Sequence, residues 1–431
     1  MTTASTISRA NATRGVRLAL FASVAAVYVG LVWLPDPSLE WASVDEACCH
    51  TRTIRAIQDE GLLAALGDSH RYRTATTPLY HLLMSIPLDR VDPQAIRYGW
   101  TIITLFAGYL VYRYIADDTA LHDSTGAAVA LSLAFILSPT VRAAARYFVT
   151  DGVALYLAVG ALLLLQRARS AVHASMPLGL ASIAIAFASF YTRQYYLWVT
   201  LYVAYSVFVA TADRRLKLAA VIATILLSIP AVVIFSIWRG LTPPLGTPIH
   251  TTPLLAATLP NALGLLAIYA LPLAWVSVQD IRRQYSDGKF RNAARSAAAV
   301  LCGAALYAAA WRVLKFEIPD QGGILRVLGD FGAWGHLAFL MISFLGIAML
   351  TRWLAVDGWR QLWWGVFLLP LLTGTVLLQR YVEPAILVFM FFVARPRDAV
   401  QVLDSRLIWF YPLFTVLYSI SRAFYFTGGG G

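Results

Sequence analysis

The chain has 431 residues, and 59% of them are hydrophobic. Only 13% are charged, where a soluble domain carries roughly 25%. That balance excludes a soluble globular enzyme, and the formal net charge of +11 fits the positive-inside bias and anionic headgroups better than a nucleic-acid partner.

Apolar runs close to the ~20 residues needed to cross a bilayer core recur along the whole chain. They predict spans at 15–34, 97–115, 126–141, 148–166, 177–191, 195–211, 217–237, 259–279, 296–311, 333–351, 361–379, 382–394 and 407–423. The expectation is an all-α, polytopic membrane protein with about 12–14 transmembrane helices. It forms a single transmembrane domain over 1–431, because no polar stretch is long enough to enclose a core of its own. The first run, 16–34, is long and is not closed by a small-residue cleavage pattern, so it reads as a retained span.

Residues 35–96 form the first outer loop, with amphipathic or interfacial helices. Its stretch 78–88, bracketed by Pro78 and Pro87, is too short to span and is placed as an interfacial or re-entrant helix. Cys48, Cys49 and Cys302 have no metal-type spacing. The adjacent pair cannot easily bridge to itself and reads as two small apolar residues. Glycines 428–431 read as a flexible end without a functional role.

Basic residues set the orientation. Arg9, Arg14 and Arg17 precede the first span; Arg167, Arg169, Arg214, Arg215, Lys217, Arg282, Arg283, Lys289, Arg291, Arg295, Arg395, Arg397 and Arg406 fall in short loops on the same side. That side is cytoplasmic. Every unusual polar stretch then lies on the opposite face, which is where a site is expected.

On that face Asp45 and Glu46 stand about ten residues beyond the first span, in reach of the headgroups. Either carboxylate suits a general base that takes a hydroxyl proton, and either also suits the end of an amphipathic helix. His50 follows them. Thr77 reads as an N-cap with Pro78 at the first helical position, and the same hydroxyl and helix start can face an anion. Arg142, Arg146 and Asp151 frame the fourth span, where Asp151 faces a polar cavity or else pairs with Arg146 or Arg142 to pin the helix end. Arg193-Gln194, ringed by aromatics, suits a lipid phosphate or a sugar, although Tyr and Trp also populate ordinary interfacial belts. Trp238 and Arg239 open a loop stiffened by Pro243-Pro244. Arg312, Lys315, Glu317, Asp320 and Arg326, around Gly322-Gly323, offer a more diffuse basic loop.

The sequence has no Gly-rich nucleotide loop, Walker-type lysine motif, HExxH or paired CxxC. A nucleotide-sugar metal site is therefore not expected, and a donor on this face has to be lipid-linked. No cofactor is read from the residues; a divalent cation, magnesium or manganese, is the one left open.

Four segments in order resemble the GT-C superfamily of polyprenyl-phosphate-sugar glycosyltransferases, and in particular the dolichyl-phosphate-glucose α-1,2-glucosyltransferase family. They are Asp45-Glu46 with His50, Thr76-Thr77-Pro78-Leu79-Tyr80, Tyr147-Phe148-Val149-Thr150-Asp151, and Arg193-Gln194 with Trp198. The resemblance covers roughly the first half of the chain. His50 is displaced by one position, one residue is inserted before Asp151, and 238–244 replaces a Gly-Asp-Lys-type loop.

The resemblance implies an inverting transfer of a sugar, glucose by preference, from a polyprenyl-phosphate donor to a glycan or lipid-linked acceptor hydroxyl at the non-cytoplasmic face. It implies Asp45 as base and Arg193, helped by Arg239 or Arg146, at the leaving phosphate. Glu46, His50, Asp151 and Gln194, with Thr77 and Trp238, would hold sugar or acceptor. The membrane is the plasma membrane of a prokaryote or the endoplasmic reticulum of a eukaryote. A ligase or polymerase of lipid-linked polysaccharide, and a transporter or flippase, are the competing readings.

Overall fold

Ala and Leu cost little in a helix, and in lipid a helix satisfies its backbone polar groups within its own segment. A computed structural model of the chain accordingly contains helices and no strand among the residues it describes. Those are 26, 28–30, 32–33, 39–68, 70–74, 76–118, 121, 124–170, 175–210, 213–240, 243, 255–314, 332–372 and 383–428.

Helix α1 (Glu40–Asp45) runs through a π-helical turn (Glu46–His50) into α2 (Thr51–Glu60). Gly61, at φ 85°, ends α2 in a backbone region that favours glycine and starts α3 (Leu62–Gly67). After an irregular stretch comes α4 (Leu79–Ser85). Thr53, Ile54 and Ile57 of α2 are buried, and Ile54 packs with Tyr80 and Met84 of α4 and with Phe148. The opposite side of α4 exposes Leu82 and Leu83. This matches the short interfacial or re-entrant helix expected at 78–88.

The helices that follow are α5 (Pro93–Ala116), α6 (Ser124–Leu137), α7 (Pro139–Arg146), α8 (Thr150–Ser170), α9 (Ser175–Thr192), α10 (Leu197–Ala210) and α11 (Arg214–Trp238). The C-terminal half adds α12 (Leu255–Tyr269), α13 (Leu271–Ser286), α14 (Phe290–Leu314), α15 (Gly332–Asp357), α16 (Trp363–Leu372), α17 (Ala385–Val388), α18 (Arg397–Leu403) and α19 (Phe410–Gly428). Three segments are long and apolar enough to cross a membrane: Thr150–Ser170, Arg214–Trp238 and Gly332–Pro370. Two bent pairs raise this to 5, one bent by 59° between Leu137 and Pro139 and the other by 70° between Tyr269 and Leu271. The fold is thus that of an α-helical membrane protein.

The described helices do not reach the expected 12–14 by length and hydropathy. The run 126–141 breaks at Pro139, and 259–279 breaks just before Pro272. Proline tolerates a helix's first turn but not its interior. The run 195–211 contributes only the 14 residues of α10 behind a 3₁₀ turn at Gln194–Tyr196. The first expected span, 15–34, lies almost wholly outside the described residues.

Burial separates the spans by role. In α8, 67% of the apolar window is inside protein; in α11 the figure is 11%. Helix α8 is therefore central, whereas α11 turns Leu218, Ile222, Ile225, Ile229 and Val232 outward as a lipid-type face. Side-chain hydroxyls bind α8 to α9: Ser182 Oγ donates to the Ala161 carbonyl and Ser189 Oγ to the Ala154 carbonyl, each at 2.7 Å. In the C-terminal half, Asp398 accepts hydrogen bonds from Ser277 Oγ, Arg352 and Trp353 Nε1, tying α18 to α13 and α15.

Gly152 lets the short helix α7 lie against the start of α8. A Cβ built on it would stand 2.2 Å from the Ala144 Cβ and 3.0 Å from the Tyr156 hydroxyl. Gly152→Ala is expected to destabilise the protein by about 1–3 kcal/mol, the usual cost of overpacking. Ala144→Gly in the same chain should restore most of the loss. Thermal unfolding in detergent checks both, and a Gly152→Ala protein as stable as wild type would refute the close approach.

Candidate functional site

Asp45, Glu46 and His50 lie on the turn between α1 and α2, where i+5 spacing brings residue 45 close to residue 50. The Asp45 Oδ2 is 3.6 Å from His50 Nε2, and the Asp45 side chain retains 22% exposure while His50 retains 2%. Glu46 points elsewhere. Its Oε1 accepts from Arg97 Nη2 at 2.5 Å and its Oε2 from the Phe148 backbone N–H at 3.3 Å. The two adjacent carboxylates are thereby told apart: Glu46 joins the outer loop to α5 and to the strand-like entry of α8, and Asp45 faces the histidine.

A second histidine completes the group. His81 Nε2 of α4 lies 2.9 Å from His50 Nδ1, and the two rings stack with centroids 5.1 Å apart. His81 is fully buried. Burial holds its pKa well below the ordinary 6.5, with the charges of His50 and Arg193 acting in the same direction and Asp45 and the Thr77 backbone opposing them. Tyr72 and Tyr80 stand edge-on to His81, at 5.8 and 5.5 Å between centroids. Burial keeps both phenols protonated far above the usual range, and Glu46 reinforces this for Tyr80.

The third part of the site is the junction of α8 and α9. Asp151 pairs with Arg193, Oδ1 to Nε, at 2.9 Å, and Arg193 Nη1 donates to Thr150 Oγ1 at 3.1 Å. Both ends of the ion pair are buried, and the Arg193 guanidinium lies over the Tyr195 ring, 5.4 Å from its centre. The ion pair considered for Asp151 therefore exists, with Arg193 as partner in place of Arg146 or Arg142. Arg193 is turned inward against a carboxylate and not outward to the headgroups. Gln194 follows it, half-buried, at the start of the 3₁₀ turn.

Other expected residues fall differently. Thr77 does not cap α4, whose N-cap is Pro78. Its hydroxyl donates to the Phe190 carbonyl at 2.7 Å, one of the last-turn acceptors of α9 that lack an intrahelical donor. Trp238 is buried with Ile57, Ala65, Leu66 and Tyr72, so it backs the aromatic wall and offers no open stacking face. Arg146 lies over the Trp33 and Tyr147 rings. Arg239 is an exposed, left-handed C-cap of α11 at φ 54°. Neither arginine is brought to Asp45 or Asp151 by a described contact. Arg142 is buried within α7. Lys315, Glu317, Asp320, Gly322-Gly323, Arg326, Leu241, Thr242 and Pro244 lie outside the described residues.

Cys48 and Cys49 form a disulfide, against the expectation that neighbours would not bridge. The π-helical turn, with its altered backbone spacing, is the local setting that brings the sulfurs together. Asp45, Cys48 and Cys49 are also a grouping of metal-type donors among the described residues. With the sulfurs joined, neither is a thiolate, so the grouping carries no argument for a cation.

Sequence reasoning missed His81 and Arg97. His81 directly follows Tyr80 inside an otherwise apolar run, a lone polar residue on a short helix. Arg97 was taken as the first residue of a span; a cation one turn into α5, after Asp92-Pro93, was the available signal.

No family model, curated protein or solved structure matches this chain. Residues and geometry alone carry the functional reading.

Removing one end of a buried ion pair leaves an uncompensated charge and typically costs about 3–5 kcal/mol. Arg193→Gln is expected to lose stability on that scale, and adding Asp151→Asn should recover much of it in thermal unfolding. Unchanged stability in Arg193→Gln would show that the pair is not formed.

His81 also predicts a pH dependence. A base whose folded pKa lies below its unfolded value binds its proton more readily when unfolded, so its contribution to stability is present above the ordinary 6.5 and lost as pH falls below it. Wild type should lose stability below that pH more steeply than His81→Gln, and parallel melting profiles would refute this.

Proposed function

We propose that this protein is an inverting glycosyltransferase that moves a sugar, glucose as first choice, from a polyprenyl-phosphate donor to an acceptor hydroxyl at the non-cytoplasmic membrane face, on a GT-C-like helical scaffold. The observation that carries the reading is the division between the paired acids. Glu46 has both oxygens engaged by Arg97 and Phe148, while Asp45 keeps an exposed edge beside His50. A base must reach an incoming hydroxyl, and Asp45 is the carboxylate placed to do so.

In the proposed step the acceptor O–H bond breaks and its proton goes to Asp45. The acceptor oxygen bonds to the anomeric carbon from the face opposite the lipid phosphate. The bond from that carbon to the phosphate oxygen breaks, and its electron pair leaves with the phosphate. Arg193 and Arg97 are the cations beside this chemistry, and each can stabilise the charge that develops on the leaving group. Glycan and lipid-linked molecules are the acceptor classes, and the orientation of the basic loops supports the non-cytoplasmic face.

The two bent helix pairs, at 59° and 70°, favour a second reading. Broken helices that enclose a binding site are a feature of transporters.

Transfer from radiolabelled polyprenyl-phosphate-glucose, with polyprenyl-phosphate-mannose in parallel and membrane lipid extract as acceptor source, separates the readings. Wild type is expected to transfer from one donor, and Asp45→Asn to lose about 10²–10⁴-fold of that rate with its fold intact. Equal rates in wild type and Asp45→Asn would exclude Asp45 as base. Donor binding with neither transfer nor hydrolysis would favour the transporter.

A further inference from the structure

His81 is buried, titratable and assigned no part in the transfer step above, yet it meets the ring that faces Asp45. The line of atoms is continuous: Asp45 Oδ2 to His50 Nε2 at 3.6 Å, then His50 Nδ1 to His81 Nε2 at 2.9 Å. Only one proton fits between the two ring nitrogens, so one ring donates and the other presents a lone pair. The surroundings decide which. His50 has the Asp45 carboxylate on its far nitrogen, and a carboxylate favours the charged imidazolium. His81 has no carboxylate in contact. It is enclosed by Tyr72, Tyr80 and the Thr77 backbone, feels the positive charge of Arg193, and is held neutral by burial. Glu46, the other acid nearby, is occupied by Arg97.

We propose that His81 is a positioning residue that presents its Nε2 lone pair to the Nδ1–H of His50, so that His50 can receive at Nε2 the proton that Asp45 takes from the acceptor hydroxyl. This rests on the glycosyltransferase reading of Asp45. The proton balance is closed. It leaves the acceptor oxygen for an Asp45 oxygen, moves to His50 Nε2, and yields an imidazolium bonded through Nδ1–H to neutral His81. Asp45 returns to a carboxylate, and no other reactant is consumed. A base oriented by a third group is a recurring arrangement in acid–base catalysis. Here the order is unusual, because the carboxylate faces the substrate side and a second imidazole closes the buried end.

The test is NMR of histidine-ring ¹⁵N signals in the full-length protein in nanodiscs, titrated through neutral pH, for wild type, His81→Phe, His81→Gln and Asp45→Asn. His81→Phe removes the acceptor and is expected to lower the proton affinity of His50 by roughly tenfold, the scale of one lost charge-stabilising contact. His81→Gln offers an amide oxygen in its place and should stay close to wild type; it also covers the case in which His81→Phe does not fold. Asp45→Asn should again lower the affinity. The acid limb of the transfer rate should move to lower pH in His81→Phe and stay in place in His81→Gln. A His50 titration that is the same in wild type, His81→Phe and Asp45→Asn would overturn the chain, even if transfer proceeds normally. Coupled titration in a protein that transfers from neither donor would instead overturn the glycosyltransferase reading and, with it, the catalytic role of the chain, while the contacts stand.

Discussion

A charge carried into an apolar interior needs a partner fixed in place, and the functional end of this protein is organised by that requirement. Ionisable groups at membrane depth cost several kcal/mol each when unpaired. Asp151 and Arg193 meet this requirement across the α8–α9 junction, and Glu46 and Arg97 meet it between the outer segment and α5. Each pair joins elements that are distant in sequence. Together they fix where the first outer segment sits on the bundle, and so where Asp45 and His50 lie.

The same requirement operates at the other end of the chain with a different outcome. Asp398 is buried under three donors, and Arg352 also reaches Asp280 at 3.1 Å. That network ties three helices together, and its carboxylate is enclosed on several sides. The outer cluster differs in one respect that matters for chemistry. Asp45 keeps an exposed edge, and its neighbour is a base that changes charge near neutral pH. Charge satisfaction alone makes a clamp; the combination of satisfaction with an accessible titratable edge makes a candidate reaction centre.

Much of the fold class was legible in hydrophobicity. A helix such as α11, apolar for its whole length and facing lipid, announces itself through composition alone. Breaks were harder to read. Pro139 and Pro272 sit inside runs that average as continuous spans, and only their position at a first helical turn converts one span into a bent pair. The site was partly legible for a related reason. Asp45, Asp151 and Arg193 stand out because charge is rare in this chain, but rarity does not say which charges meet. Arg193 meets Asp151 across 42 positions and Arg97 meets Glu46 across 51, and no local pattern encodes either distance. Arg146 and Arg239, equally conspicuous in sequence, end up against aromatic rings and at an exposed helix cap.

His81 illustrates a deeper limit. A histidine in an apolar run has the same local signature whether it fills a core or titrates beside a carboxylate. What distinguishes the cases is the neighbour it acquires through tertiary packing, here the π-helical turn that carries His50 toward α4. The one extra residue in that turn also rotates Asp45 and Glu46 into separate environments, although they are adjacent in sequence. In a regular α-helix, neighbours diverge by about 100° and either acid could compete for the same cation. The widened turn, anchored by Arg97 on one acid and by the histidine pair on the other, removes that competition. A small departure from helical geometry thus assigns two chemically similar side chains to different tasks.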